Sequence, residues 1–423
     1  MKIGSTRVMA SIAGMLGVCL IGVALAASGN KTEMAVARST ANPGHPPIAP
    51  MSGAVLASAM GQAAPRPAGQ GGPQEKMAED VFKNIQVLKG ITVDDFMGTM
   101  GIMSAALGFC CSNCHTGAGT DSVKWEDDTA NKRTARRMVT MVAAINKQNF
   151  GGRQVVTCWT CHRGRYFPVT TPDLDTVYGE PKQEPDDLLK AAVGVPTVDQ
   201  VLNKFVQAIG GAQKLAAVTS YTATGKSLFF GSFGGDARVE VFAKAPDQRA
   251  THINFPQDPS RGDSTRTYDG RTGWWATPLA VLRKYELTGG ERDGARLDAQ
   301  LSFPWDIKKY MTNLRVGPPV QIDGKDYDVV QGDGVKGVVG TLYFEAKTGL
   351  LERVVRFSPS PIGRVPTQTD FSDYRDVNGV KFPFRSRFSW LDGQDTFEFT
   401  DVKFNVPIDA ARFGEPTSMG VTK

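Results

Sequence analysis

Two segments of the chain read C-x-x-C-H: Cys111-Ser112-Asn113-Cys114-His115 and Cys158-Trp159-Thr160-Cys161-His162. The spacing suits one chemistry closely. Two thiols add across the two vinyl groups of a haem, and the histidine that follows coordinates the iron from below as proximal ligand. Cys111, Cys114, Cys158 and Cys161 are therefore candidate thioether residues, and His115 and His162 candidate iron ligands. Zinc and a redox dithiol are the competing readings. Four-cysteine zinc sites separate their pairs by about 15–20 residues, whereas 43 residues lie between Cys114 and Cys158. A thioredoxin-like motif needs a βαβ setting, and this region is patterned as helix. Cys110 adjoins the first motif but lacks the spacing to join it. Two covalently bound haem c groups are the expectation.

A fast electron carrier keeps each iron six-coordinate, so that little rearranges on electron gain and loss. The chain has four histidines, two of them in the motifs; the others are His45 and His252. Methionine is then the expected distal ligand, which tends to raise the reduction potential. Met97, Met100 and Met103 precede the first motif, and Met138 and Met141 the second. A methionine on an apolar helix face usually does no more than pack. Here both motifs follow a helix bearing M-x-x-M, as if one unit were used twice.

The elements that must position these residues can be read from periodicity. Thr92 with Asp95 resembles a capping box, and Phe96, Met100, Met103 and Leu107 then share one helical face. A second helix is written around Thr134 to Ile145, with Met138, Met141, Val142 and Ile145 on a face. Thr197 and Gln200 cap a third, amphipathic helix that stops at Gly210-Gly211. Beyond about Thr219 the period becomes two, as in Arg238 to Lys244, punctuated by Asp269-Gly270, Asp323-Gly324, Asp333-Gly334, Asn378-Gly379 and Asp392-Gly393. That pattern describes a long antiparallel sheet with few helices.

The N-terminus reads as an export signal. Lys2 and Arg7 precede an uncharged apolar run, and Ala24-Leu25-Ala26 offers a cleavage site. An uncleaved anchor is the alternative. Cys19 lacks a lipobox context. Export places the chain in the periplasm, and covalent haem attachment of this type occurs outside the cytoplasm. The 423 residues divide as signal peptide (1–27), a flexible Ala/Pro/Gly-rich tether (28–76) that contains His45, a di-haem cytochrome c domain (77–178), a linker (179–196) and a β-rich domain (197–418). Net charge is +5, from 48 basic and 43 acidic residues, with no basic arm, so nucleic-acid binding is not expected.

Glu79 to Pro168 resembles half of the tetrahaem cytochrome subunit of photosynthetic reaction centres. The matching pieces are Asp95-Phe96-Met97-Gly98-Thr99-Met100, Ala135-Arg136-Arg137-Met138-Val139-Thr140-Met141, Ala144-Ile145-Asn146 and Val156 to Gly164, together with the first C-x-x-C-H. The resemblance implies Met100 and Met138 as the distal ligands, eleven residues before Cys111 and twenty before Cys158. The histidine that in this family precedes one motif and serves another haem has no counterpart in Asn149 to Arg153. That departure fits a two-haem module with Met/His ligation at both irons, used outside photosynthesis. Arg136, Arg137 and Arg163 either neutralise haem propionates or form a solvated face.

Thr197 to Pro416 is similar to lipoprotein-carrier half-barrels of the Lol type. The strings that carry this are Tyr268 to Trp275, Tyr343 to Leu351 and Asp373 to Pro383, after the leading helix. The resemblance implies a concave sheet face able to hold an apolar ligand. His252 reads as a satisfied strand histidine, and Trp274, Trp275 and Trp390 as core.

The fold class expected is thus multidomain α + β: a small, mostly helical di-haem c-type module, then a mainly antiparallel half-barrel with a leading helix. The function expected is a periplasmic carrier that passes electrons between redox proteins of the periplasm or membrane. The alternative is a lipid- or partner-binding half-barrel whose haems sense redox state or gas. A di-haem peroxidase is the enzymatic option, disfavoured because both motifs have an upstream methionine.

Overall fold

The computed structural model describes residues 75–417, apart from 119, 121, 180–186, 188, 229–236, 257–261, 278–280 and 335–338. The proposed signal peptide, nearly all of the tether and His45 lie outside the described residues. Among those described, no helix is long and apolar enough to cross a membrane.

The helical part opens with α1 (Ala78–Val81) and α2 (Val93–Leu107). Thr92 caps α2 by accepting from the Asp95 N–H at 3.2 Å, and Asp94 and Asp95 place negative charge in its first turn. The helix stops at Gly108, which is left-handed. A 3-10 turn, Cys111–Asn113, carries the first motif. Helix α3 (Ala130–Asn149) extends past both ends of the stretch readable from apolar spacing, because Thr129 caps it at Lys132. Helix α4 (Cys158–His162) is the second motif itself, capped by a reciprocal Thr157–Thr160 pair. Then come α5 (Leu174–Tyr178), α6 (Val198–Ala208) with the expected Thr197–Gln200 box, and α7 (Ala212–Ala216).

The remainder is mainly strands: β1 (Ser220–Ser227), β2 (Ala237–Lys244), β3 (Gln248–Asn254), β4 (Ser264–Tyr268), β5 (Gly273–Ala276), β6 (Lys284–Leu287), then helix α8 (Gly289–Ala299), β7 (Thr312–Val316), β8 (Val320–Ile322), β9 (Lys325–Asp333), β10 (Val339–Glu345), β11 (Leu351–Ser360), β12 (Gly363–Val377), β13 (Val380–Trp390) and β14 (Gly393–Phe404). They form one antiparallel sheet in the order β6-β5-β4-β3-β2-β1-β14-β13-β12-β11-β10-β9-β7, with β8 on β9. Two meanders are joined where β1 pairs with β14. The sheet does not close; β6 and β7 are its edges. Asn378-Gly379, both left-handed (φ 54° and 81°), turn β12 into β13 as the sequence pair demands.

Alternation is strict in β2, where Ala237, Val239, Val241 and Ala243 are buried. Helix α6 lays Val201, Leu202 and Phe205 on Val330, Leu342, Phe344, Leu351 and Val354. Helix α8 lays Ala295 and Ala299 against Tyr268 and Leu287.

The helical module is docked on this sheet, which the sequence did not suggest. Ile102 of α2 and Val139 of α3 pack with Ile362, Val365 and Leu391. A Cβ on Gly101 would stand 3.3 Å from Leu391, so α2 meets the β13–β14 turn closely. Polar contacts extend the seam. Thr92 and Thr288 share a hydrogen bond of 2.6 Å between hydroxyls, and the Thr288 N–H donates to Asp94 Oδ2 at 2.7 Å. Arg292 pairs with Glu75 at 3.2 Å, and Gln154 donates to the Ser360 carbonyl. The end of the linker is also tied down: the Leu189 N–H donates to Gln331 Oε1, and Gln331 Nε2 to the Asp187 carbonyl.

Candidate haem sites

Helix α3 organises both motifs, one at each end. At its start, Thr129 Oγ1 donates to the Cys114 carbonyl at 2.9 Å and Asn131 Nδ2 to the Asn113 carbonyl at 2.8 Å. Lys132 then gathers the loop between, donating to the carbonyls of Trp125 and Asp127. Near its end, Asn146 is buried. Its Nδ2 donates to the Val156 carbonyl at 2.7 Å, while its Oδ1 accepts from the N–H groups of Val155 (3.0 Å) and Val156 (2.9 Å). An extended pair of residues is thereby fixed immediately before Thr157 and Cys158. The sequence had shown Asn146 only as part of a matching string, with no role attached.

Helix α4 packs on the end of α2. The Gly164 N–H donates to the Ala106 carbonyl at 2.9 Å, and Gly108 and Gly164, both left-handed, pass in close contact. The second motif is thus held from two sides, by α3 before it and α2 after it.

The four motif thiols are free, with Cys111 and Cys161 exposed and Cys114 and Cys158 partly covered. Burial raises the pKa of Cys111, Cys114 and Cys158. The two histidines differ. His162 Nδ1 lies 3.0 Å from the Arg165 carbonyl; donation there fixes the tautomer that leaves the Nε2 lone pair for a metal. His115 Nδ1 is buried without a hydrogen-bond partner. Burial, helped by the charge of Lys132, holds the His115 pKa below the ordinary value, so the ring is neutral, the form that ligates iron. Trp125 stands edge-on to it, 4.9 Å between centroids. Free thiols at vinyl spacing, followed by a neutral imidazole, match the donor set that a haem c requires.

Met100 on α2 and Met138 on α3 are both half-buried. Met103 packs into the cluster of Ile102, Val139 and Ile362. Met141 is 43% exposed. Arg136 pairs with Asp128 and donates to the Asn84 carbonyl, while Arg137 is exposed and bonded to Thr134.

In the sheet, His252 Nδ1 lies 3.1 Å from Thr265 Oγ1. Among the described residues no group of three or more His, Cys, Asp or Glu is arranged to hold a metal ion. A mainly apolar cavity of about 360 Å³ is bordered by Tyr221, Phe371, Phe382 and Phe397. Trp275 and Trp390 line it, so these two serve a cavity wall rather than a filled core. Arg249 donates to Tyr221 Oη at its rim.

Known proteins align with the two parts separately. The half with the sheet is matched in shape by the LolA superfamily protein from Nitrosomonas europaea (16% identity, 52% of this chain and 99% of that chain, TM-score 0.35) and by a DUF1329 family protein from Desulfovibrio piger (14% identity, 52% and 98%, TM-score 0.35). Residues 51–187 match the family model described as photosynthetic reaction centre cytochrome C subunit. The photosynthetic reaction center cytochrome c subunit of Roseobacter denitrificans is 36% identical over 101 residues, 22% of this chain and 27% of that protein. That of Thermochromatium tepidum is 35% identical over 103 residues, 22% and 24%. The chain spans about a quarter of the length of these relatives. The segment that carries both C-x-x-C-H motifs is a cytochrome c segment of the photosynthetic reaction-centre subunit type.

Proposed function

We propose that this chain is an exported di-haem c-type cytochrome that passes electrons between redox proteins of the periplasm or its membrane. The observation that carries the reading is the pair of C-x-x-C-H motifs held at opposite ends of α3, by Thr129 at the first and Asn146 at the second. When bound, each haem supplies the one-electron couple. The chain's own residues do the positioning: Cys111 with Cys114, and Cys158 with Cys161, anchor; His115 and His162 ligate from one side; Met100 and Met138 ligate from the other. Packing already employs Met103, and Met141 faces solvent, which supports Met100 and Met138 as the ligands. Residues 1–27 act as signal peptide, 28–76 as tether, 77–178 as the di-haem domain, and 197–418 as the docked half-barrel.

The sheet cavity favours a companion role: an apolar ligand bound between Phe382, Phe397 and Trp390. Should the haems serve that ligand as redox or gas sensors, at least one iron would have an open position. The deciding experiment is expression of the full chain in bacteria competent in cytochrome c maturation, followed by intact mass and visible spectroscopy. A gain of two haems with low-spin spectra supports the carrier. An open, high-spin iron supports the sensor. A protein without haem, or with zinc, defeats both.

A further inference from the structure

The surface around the second motif is apolar at its centre and cationic at its margin. From Thr129 to Pro172 the chain holds eight Lys and Arg and no Asp or Glu, against a net charge of only +5 for the whole. Arg133 and Arg136 are neutralised by Asp128. Among the described residues Arg153, Arg163 and Arg165 are exposed and have no carboxylate within ion-pair distance. These three flank the motif: Arg153 lies five residues before Cys158, and Arg163 and Arg165 follow His162. Between them lie Trp159 (51% exposed) and Phe167 (75% exposed). The aromatic surface is continuous, since Tyr166 stacks on Phe109 at 5.2 Å and meets Phe167 edge-on at 4.6 Å. Large exposed apolar groups rimmed by charge mark interaction surfaces.

We propose that this face, centred on Trp159 and Phe167 and rimmed by Arg153, Arg163 and Arg165, docks an acidic redox protein that exchanges electrons at the second haem. The inference rests on the carrier reading. A haem bonded to Cys158 and Cys161 is attached inside this surface, so a partner seated here meets the cofactor directly. Arginine forks match carboxylates in pairs, and unpaired cations steer an anionic partner during approach, an effect worth roughly 10- to 1,000-fold in association rate at low salt. The first motif is a poorer candidate, because its loop carries Glu126, Asp127 and Asp128 beside its cations.

The test uses the full-length protein with both haems and, as probe, a reduced acidic flavodoxin; one electron passes from its flavin to ferric haem. Wild type is compared with R163E/R165E. Because Arg163 holds the left-handed cap of α4 (φ 49°), R153E/R165E serves as the variant that spares the cap. Haem content is measured first, and any variant without two haems is replaced by the other. Expected is a second-order rate that falls at least about tenfold in wild type as salt rises from low to high, and is about tenfold lower than wild type in the variant at low salt only. Equal rates and equal salt dependence in wild type and a two-haem variant overturn the proposal. So does sedimentation of wild type, but not the variant, with phosphatidylglycerol vesicles when the flavodoxin rates are the same; the face would then meet a membrane. A wild-type protein whose haems accept no electron from flavodoxin or from ascorbate with a small mediator would instead defeat the carrier reading itself.

Discussion

The carbonyl oxygen of Gly164 lies 2.5 Å from the point that a Cβ on Gly108 would occupy. The contact joins the end of α2 to the loop that follows the second motif. Gly108 also sits at φ +64°, where a side chain is strained in any surroundings. Gly108→Ala therefore meets both strain and collision, and is expected to cost about 2 kcal/mol or more. Gly151→Ala is the control: φ is +60° there, with no atom within 4 Å of the added carbon. Thermal unfolding of the two variants should separate them, Gly108→Ala melting lower and losing haem from the second motif. Equal melting temperatures would mean that the loop gives way without cost.

Asn146 offers a sharper separation of the two haems. Asn146→Ala removes three hydrogen bonds and leaves two N–H groups and a carbonyl without their partner. The cost is expected near 3 kcal/mol, concentrated at the residues before Cys158. Haem analysis of peptides should show the second motif under-occupied and the first filled. Asn146→Asp keeps the acceptor oxygen and loses the donor, so its deficit should be smaller. Equal loss at both motifs would remove the local role argued for this side chain.

The distal ligands can be tested one at a time. Met100→Leu and Met138→Leu preserve volume, a change that cores accept for less than about 1.5 kcal/mol. Each is expected to turn one of two irons high-spin while the protein stays folded. Met103→Leu and Met141→Leu should leave the spectrum as it was. Unchanged spectra in both of the first pair would show that the ligand assignment is wrong.

Much of this arrangement is written locally and some of it is not. The two motifs, the helix caps at Thr92 and Thr197, and the Asn378-Gly379 turn depend on residues within a few positions of each other, and the sequence displays them. Helix α8 was missed because Gly289, Gly290 and Gly294 each cost about 1 kcal/mol relative to alanine in a helix; it forms because Ala295 and Ala299 are buried against Leu287 and Tyr268. The docking of the module was missed for another reason. Thr92 and Thr288 are 196 residues apart, and a threonine that bonds across a seam looks in sequence like any other. Asn146 sat in a recognisable string, yet its three bonds depend on a backbone that had to be seen.

That seam contains the buried carboxyl of Asp94, which predicts how the molecule responds to pH. Burial, reinforced by the charges of Glu291 and Asp95, pushes its pKa well above the ordinary value of 3.8, against a hydrogen bond from Thr288 and the charge of Arg266. In the folded protein Asp94 stays protonated over a range where the unfolded chain has ionised. The sign follows from proton binding: the folded state binds the extra proton, so stability from this group is complete below the unfolded pKa and is lost as pH rises towards the raised folded value. Tyr285, its pKa raised by burial and by Asp94, faces the same seam, and Arg266 is paired with Glu291 at 3.2 Å. Asp94→Asn keeps an oxygen to accept from Thr288 and removes the titration. Unfolding followed from about pH 4 to pH 8 should show wild type losing stability as pH rises through this window, and the variant following a flatter line that lies above it at neutrality. Parallel curves would mean that Asp94 ionises at its ordinary pKa, and that the seam between module and sheet takes up enough water to solvate the charge.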